Sequence, residues 1–274
     1  MRPVLAIGAH PDDIEISCSG TLKLLRELGF AIHIATLTLG ECGSRSLPAD
    51  EISRTRRTEA EEACGLLGAA YHYAGSKDFC IFNDDVHNRR VTAIVRRVAP
   101  AIVITHPPCD YMLDHETTST LARNACFYAP APNYDTTAYG AAPATTAIPH
   151  LYYSDVMEGV DIFGTNIKPE FFVDISDVID FKASMLACHR SQREWLRAQH
   201  GLDEYVDSMR LWCGRRGEQA ANISGESVKF AESYRQHRGH AYPRENIIAK
   251  LLQGRVTINP EYFRNPCTTE HDSQ

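Results

Sequence analysis

A chain of 274 residues, 43% hydrophobic and 23% charged, has the length and apolar content for one large globular domain with room for a sizeable core. Its net charge of −7 argues against a broad basic surface for nucleic acid, and no apolar run approaches the roughly 18 residues of a membrane span. The N-terminus lacks a signal-peptide layout, and nine cysteines with no C-x-x-C pair fit reduced thiols. A soluble, cytoplasmic protein is expected.

In chain order, VLAIGA (Val4 to Ala9) reads as a buried strand, and SGTLKLLRELG (Ser19 to Gly29) as a helix with Leu22, Leu25 and Leu28 near one face and Gly29 as its stop. Ala31 to Gly40 is a second strand, and Ala49 to Gly68 a long helix that starts near Asp50. Ala70 to Gly75 is a third, weaker strand, followed by a helix over roughly Asp84 to Val98. AIVITH (Ala101 to His106) is a fourth strand, unalternated and β-branched as if buried on both faces. The order predicts a doubly wound, mostly parallel α/β sheet of Rossmann-like type with helices on both faces. The segment 129–149, rich in Pro, Ala, Thr and Gly, reads as a long loop over an active site. Strands at His150 to Val156 and Phe171 to Ser176, a helix over about Asp177 to Ala198, and a less regular C-terminal extension complete a single domain.

In such sheets ligands bind beyond the carboxyl ends of the strands, where strand order reverses. AHPDDIE (Ala9 to Glu15) and HPPCDYMLDH (His106 to His115) both follow a strand end, so their polar residues can meet in space. Read plainly, Asp12 or Asp13 caps the following helix, with Asp12 and Glu15 forming a D-x-x-E capping box, and Asp114 and His115 open another helix. Read for chemistry, His10 and one aspartate suit zinc, which at a catalytic site takes about three protein ligands and leaves one position for water. Asp110, Asp114 and His115 are the candidates for the third ligand. A nucleotide-dependent enzyme is disfavoured, because GAHPDD replaces the glycine-rich phosphate turn.

AHPDD after the first strand, GTL in the next helix, TLGECG (Thr38 to Gly43), RRTEAEEACGLLG (Arg56 to Gly68), DYMLDH (Asp110 to His115) and HRSQ (His189 to Gln192) together resemble the LmbE-like, or PIG-L, zinc N-deacetylases. The resemblance spans most of residues 4 to 195. It implies a hydrolase that removes an N-acetyl, or other N-acyl, group from a small-molecule amino-sugar conjugate of N-acetylglucosamine type. It makes His10, Asp13 and His115 the ligands of Zn2+ (or another divalent metal such as Fe2+), and Asp12 the general base for attack of the zinc-activated water.

Where many members read D-Y-H-P-D-H this chain has Met112 and Leu113, so the usual histidine is missing while its orienter, Asp114, remains. A thioether donates no proton. His189 is the expected replacement, His106 the second candidate, and Asp12 acting alone the third possibility. The same gap supports an alternative: a carbohydrate-binding relative with weak or lost turnover. Glu41, Arg56 and Asp78 are the substrate-binding residues the resemblance implies, although Arg56 has a plain rival role in pairing with Glu59. Tyr111 and Tyr139 are candidates for stacking on a sugar face. The sequence leaves room for a homo-oligomer.

Overall fold

The computed structural model describes residues 3–194 and 204–263. Its strands are β1 (Pro3–Gly8), β2 (Ala31–Thr36), β3 (Ala70–Tyr73), β4 (Ile102–Thr105), β5 (His150–Ser154), β6 (Phe171–Asp174), β7 (Ala231–Gln236) and β8 (Val256–Ile258). They form one sheet in the order β3-β2-β1-β4-β5-β7-β6-β8. The pairings among β1 to β5 are parallel, and β7, β6 and β8 complete the sheet antiparallel. The 3-2-1-4-5 half is doubly wound and reverses between β1 and β4, which is where such sheets bind ligands.

The helices are α1 (Asp13–Ser17), α2 (Ser19–Glu27), α3 (Ala49–Leu67), α4 (Asp85–Val98), α5 (Leu113–Tyr128), α6 (Ile179–Leu186), α7 (Glu204–Ser224) and α8 (Ile247–Leu251). Alternation along β1 divides the core. Val4 and Ala6 face a cluster with α2, α3, α6 and α7, whereas Leu5 and Ile7 face one built on α4 and α5. In α2 the buried side chains are Leu22, Leu24 and Leu25, while Leu28 is exposed. Gly68 takes the left-handed conformation that ends α3, and the Asp84 side chain accepts from the His87 amide to start α4.

Two expectations are corrected, and the C-terminal extension takes part in the sheet: it supplies α7 and inserts β7 between β5 and β6. The helix expected over 177–198 ends at Leu186 and resumes at 190–194, and its stretch from 195 to 198 lies outside the described residues. The loop 129–149 packs along α4, where Arg96 donates to Ala129 O at 3.1 Å and Ala131 O at 2.6 Å, and Arg89 to Asp135 O. None of its residues, Tyr139 included, lines the cavities described below. Among the described residues, no helix is long and apolar enough to cross a membrane.

Candidate active site

The loop leaving β1 carries His10, Pro11, Asp12 and Asp13, and folds back so tightly that a Cβ on Gly8 would lie 3.0 Å from the Asp13 Cβ. Asp12 sits at φ 104°, ψ −27° and makes no side-chain cap to α1, so the expected capping box does not form. A left-handed backbone at a non-glycine residue costs on the order of 1–3 kcal/mol and persists only where its surroundings enforce it. Here the conformation turns the carboxylate away from the helix. Asp12 Oδ2 instead accepts from Tyr205 Oη at 2.6 Å and from Arg56 Nη2 at 3.2 Å.

His10, Asp13 and His115 each present one donor atom, all within 4.8 Å of one another and all buried. His10 Nδ1 lies 3.6 Å from Asp13 Oδ2, and His115 Nε2 lies 3.4 Å from Asp13 Oδ1. The other ring nitrogens are held from behind. His10 Nε2 bonds Asp114 Oδ2 at 3.3 Å and lies 3.0 Å from Asp78 Oδ1, while His115 Nδ1 bonds Asp110 Oδ1 at 3.0 Å. Carboxylates behind imidazoles are the usual support of a histidine metal site, fixing the tautomer and raising donor basicity.

The electrostatics agree with a cation there. Burial opposes charge on His115, but Asp13 and Asp110 outweigh it and push the ring up to about 9. His10 is raised as well, against burial, by Asp114, Asp13 and Asp78. Burial alone would raise Asp13, yet His115 and His106 carry it well below the ordinary carboxylate range. A centre that favours positive charge this strongly accommodates a divalent ion with both imidazoles neutral. The residues present therefore fit the metal.

Asp12 contrasts with its neighbour. Burial raises its carboxyl above the usual range, with Arg56 opposing and Asp13 adding to the rise. Arg56 also donates to Pro11 O at 2.8 Å and to Gly40 O at 3.1 Å. It lies so flat on Gly40 that a Cβ there would fall 2.0 Å from Nη1. Pairing of Arg56 with Glu59 does not occur: Glu59 takes the Ser191 amide and hydroxyl.

Of the remaining expected residues, Asp78 and Arg56 line the larger cavity; Asp78 Oδ2 accepts from the Cys42 amide, and its Oδ1 stands 3.0 Å from His10 Nε2. Glu41 accepts from the Asp78 amide at 3.0 Å and does not line the cavity. Asp114 holds His10 and the Phe79 amide, not position 112. His189 is 1% exposed, stands 3.5 Å from Glu15 Oε1, and lines neither cavity. It lies in the break between α6 and the helical residues 190–194, where burial opposes its charge but Glu15 and Asp12 raise it, and it has no surface on either cavity. His106 lies under the site, with Nε2 3.0 Å from Asp13 Oδ2 and stacked on His115 at 4.0 Å. Tyr205, Trp212 and Gln192 also line the larger cavity; Gln192 belongs to HRSQ, whereas no sequence signal marks Tyr205 or Trp212.

Two cavities flank the donor set. The larger, about 470 Å³, is lined by His10, Asp12, Arg56, Met112 and Tyr205 among others. Three of its lining residues carry buried polar atoms without hydrogen-bond partners, Arg56 Nε, Asp78 Oδ1 and Gln192 Oε1. The smaller, about 190 Å³, shares Asp13, Ile16, Tyr111, His115, Met157, Glu158 and Trp212 with it and extends under the loop 156–166 toward α7 and β7.

Residues 5–126 match the family model described as PIG-L: GlcNAc-PI de-N-acetylase. The 4-oxalmesaconate hydratase of Pseudomonas putida is 27% identical over 242 residues, spanning 84% of this chain and 87% of the hydratase. The diacetylchitobiose deacetylase of Thermococcus kodakarensis is 28% identical over 202 residues, 70% of each chain. The crystal structure of GalB, the 4-carboxy-2-hydroxymuconate hydratase of Pseudomonas putida, shares the fold with a TM-score of 0.72 at 24% identity, covering 89% of this chain and 100% of GalB. The site loops lie inside residues 5–126, the stretch that matches the PIG-L, or LmbE-like, family model, and a deacetylase stands among the chain's relatives.

Proposed function

We propose that this protein is a metal-dependent N-deacetylase acting on an N-acetylglucosamine-type conjugate. The observation that carries the reading is the divided duty of adjacent aspartates. Asp13 stands with His10 and His115 as a donor set, while Asp12 is held apart on Arg56 and Tyr205 with its carboxyl raised by burial. Two imidazoles and one carboxylate suit zinc, with Fe2+ as another divalent candidate. When bound, the ion polarises the amide carbonyl and lowers the pKa of water toward neutrality.

Asp12 takes a proton from the attacking water as oxygen bonds to the acyl carbon. The C–N bond then breaks, and Asp12 returns that proton to the departing nitrogen, leaving acetate and a free amine. Asp12 serves as base and then acid: Met112, which lines the cavity, carries no proton to give, and His189 lines neither cavity. Arg56 Nε and Gln192 Oε1, buried and without partners, are a donor and an acceptor suited to sugar hydroxyls.

A second reading, hydration of an unsaturated carboxylate, is favoured by one observation: the chain aligns with 87% of a hydratase. Hydration adds oxygen to one carbon of a double bond and returns the proton to its neighbour, which needs the same base and cation. The zinc-loaded protein is to be incubated with a panel of N-acetylglucosamine conjugates, following acetate and primary amine, and with conjugated enoic acids, following ultraviolet absorbance. Acetate and amine in equal amounts support the first reading. Absorbance loss without acetate supports the second and defeats the first, and sugar binding without turnover leaves a carbohydrate-binding protein.

A further inference from the structure

Arg56 and Asp12 form a buried pair that stops short of the contact such groups usually make. A carboxylate meets a guanidinium best through two parallel bonds, and Asp12 takes only one, from Nη2 to its Oδ2 at 3.2 Å. Arg56 Nε, in the same guanidinium, is buried without a partner. The guanidinium itself is anchored, with Nη1 on Gly40 O at 3.1 Å and Nη2 also on Pro11 O at 2.8 Å. The carboxylate is therefore the member held off. Its shorter bond comes from Tyr205 Oη at 2.6 Å, a length typical of a hydroxyl donating to an ionised carboxylate. Tyr205 is 8% exposed and belongs to the core cluster shared by α2, α3, α6 and α7, so packing fixes where its hydroxyl stands. Both bonds fall on Oδ2, which leaves Oδ1 to the larger cavity that Asp12 and Tyr205 line.

We infer that Tyr205 is a positioning residue that keeps Asp12 from closing a two-point ion pair with Arg56. This rests on the deacetylase reading above, in which Asp12 is the base. Held off, Asp12 keeps Oδ1 for the proton of the attacking water, and Arg56 keeps Nε for the substrate. Released, the carboxylate turns onto Nε and Nη2 together, as its charge and theirs favour. Both of its oxygens are then occupied, and the base is idle although His10, Asp13 and His115 still stand in place. The hydroxyl therefore acts through Asp12 and needs no bond to the substrate.

The test is Tyr205→Phe, which keeps the packed ring and removes the hydroxyl, read by crystal structures of parent and variant and by kcat on the N-acetylglucosamine conjugate that the parent cleaves. In the variant, Asp12 moves onto both Arg56 Nε and Nη2, and zinc content is unchanged. Its kcat falls about 10²-fold, the scale of loss for a reacting group misplaced by about 1 Å. In an Asp12→Asn background the same substitution changes kcat by less than about twofold, because the group it acts through is already gone. A tyrosine that only supports the fold, or one that touches the substrate itself, costs the same in both backgrounds. Asp12 in its parental position in the variant crystal, an unchanged kcat, or equal losses in the two backgrounds each overturns the inference and leaves the deacetylase reading standing. Should the parent release no acetate from any conjugate, the deacetylase reading falls, and the position of Asp12 in the two crystal structures alone decides whether Tyr205 holds it.

Discussion

Asp12 and Asp13 are neighbours in sequence with opposite surroundings, and substitution separates their duties. Asp12→Asn keeps the donor set and removes the proton acceptor, so zinc content by elemental analysis stays near one equivalent while kcat falls about 10²- to 10⁴-fold. His115→Ala leaves two protein donors and loses zinc on dialysis. Position 112 behaves differently from what the motif suggests. Asp114, the apparent orienter of a histidine there, is committed to His10 Nε2 and the Phe79 amide. Met112→His therefore gains less than about tenfold in kcat, well below what an oriented acid supplies. The donor residues were legible because each follows a buried β-branched run, where a polar cluster has little structural reason to be. His189 was not: the pattern reads as one helix over 177–198, whereas the chain breaks at 187–189 and leaves this ring in the interior. Tyr205 escaped notice because its helix carries no motif.

At the scale of elements, the strands that build the site were readable and the later ones were hidden by their polarity. β7 reads AESYRQ and is nonetheless buried along most of its length, because Glu232 finds Lys182 and two amides inside. The outer edge of the parallel half carries its own pH dependence. His33 on β2 and His72 on β3 are bonded at 2.9 Å, and burial together with His33 pushes His72 down to about 4. The unfolded chain, with a histidine near 6.5, binds the proton that the folded one refuses. The contribution is thus fully present above pH 6.5 and is lost as pH falls toward 4. Urea midpoints between pH 7 and 4.5 decline less in His72→Gln than in the parent, by about 1 kcal/mol allowing for solvent contact.

For the whole molecule, the buried Lys182–Glu232 pair joins α6 to β7, and Glu232 also accepts the first amides of α2. Lys182→Met strands that carboxylate. The cost is about 3–5 kcal/mol, a fall in Tm of roughly 6–12 °C by calorimetry, with zinc content unchanged in the folded fraction.

His10, Asp12, Asp13, Asp78, Asp110, Asp114 and His115 all come from the parallel half, within residues 5–126. Apart from Ile16, Tyr111 and Ala231, the apolar wall of the smaller cavity comes from residues 156 to 213, as does Tyr205. Substitutions in the second stretch thus reshape the wall of the smaller cavity while leaving all seven of those polar residues in place, and Tyr205 is the position there whose side chain bonds Asp12.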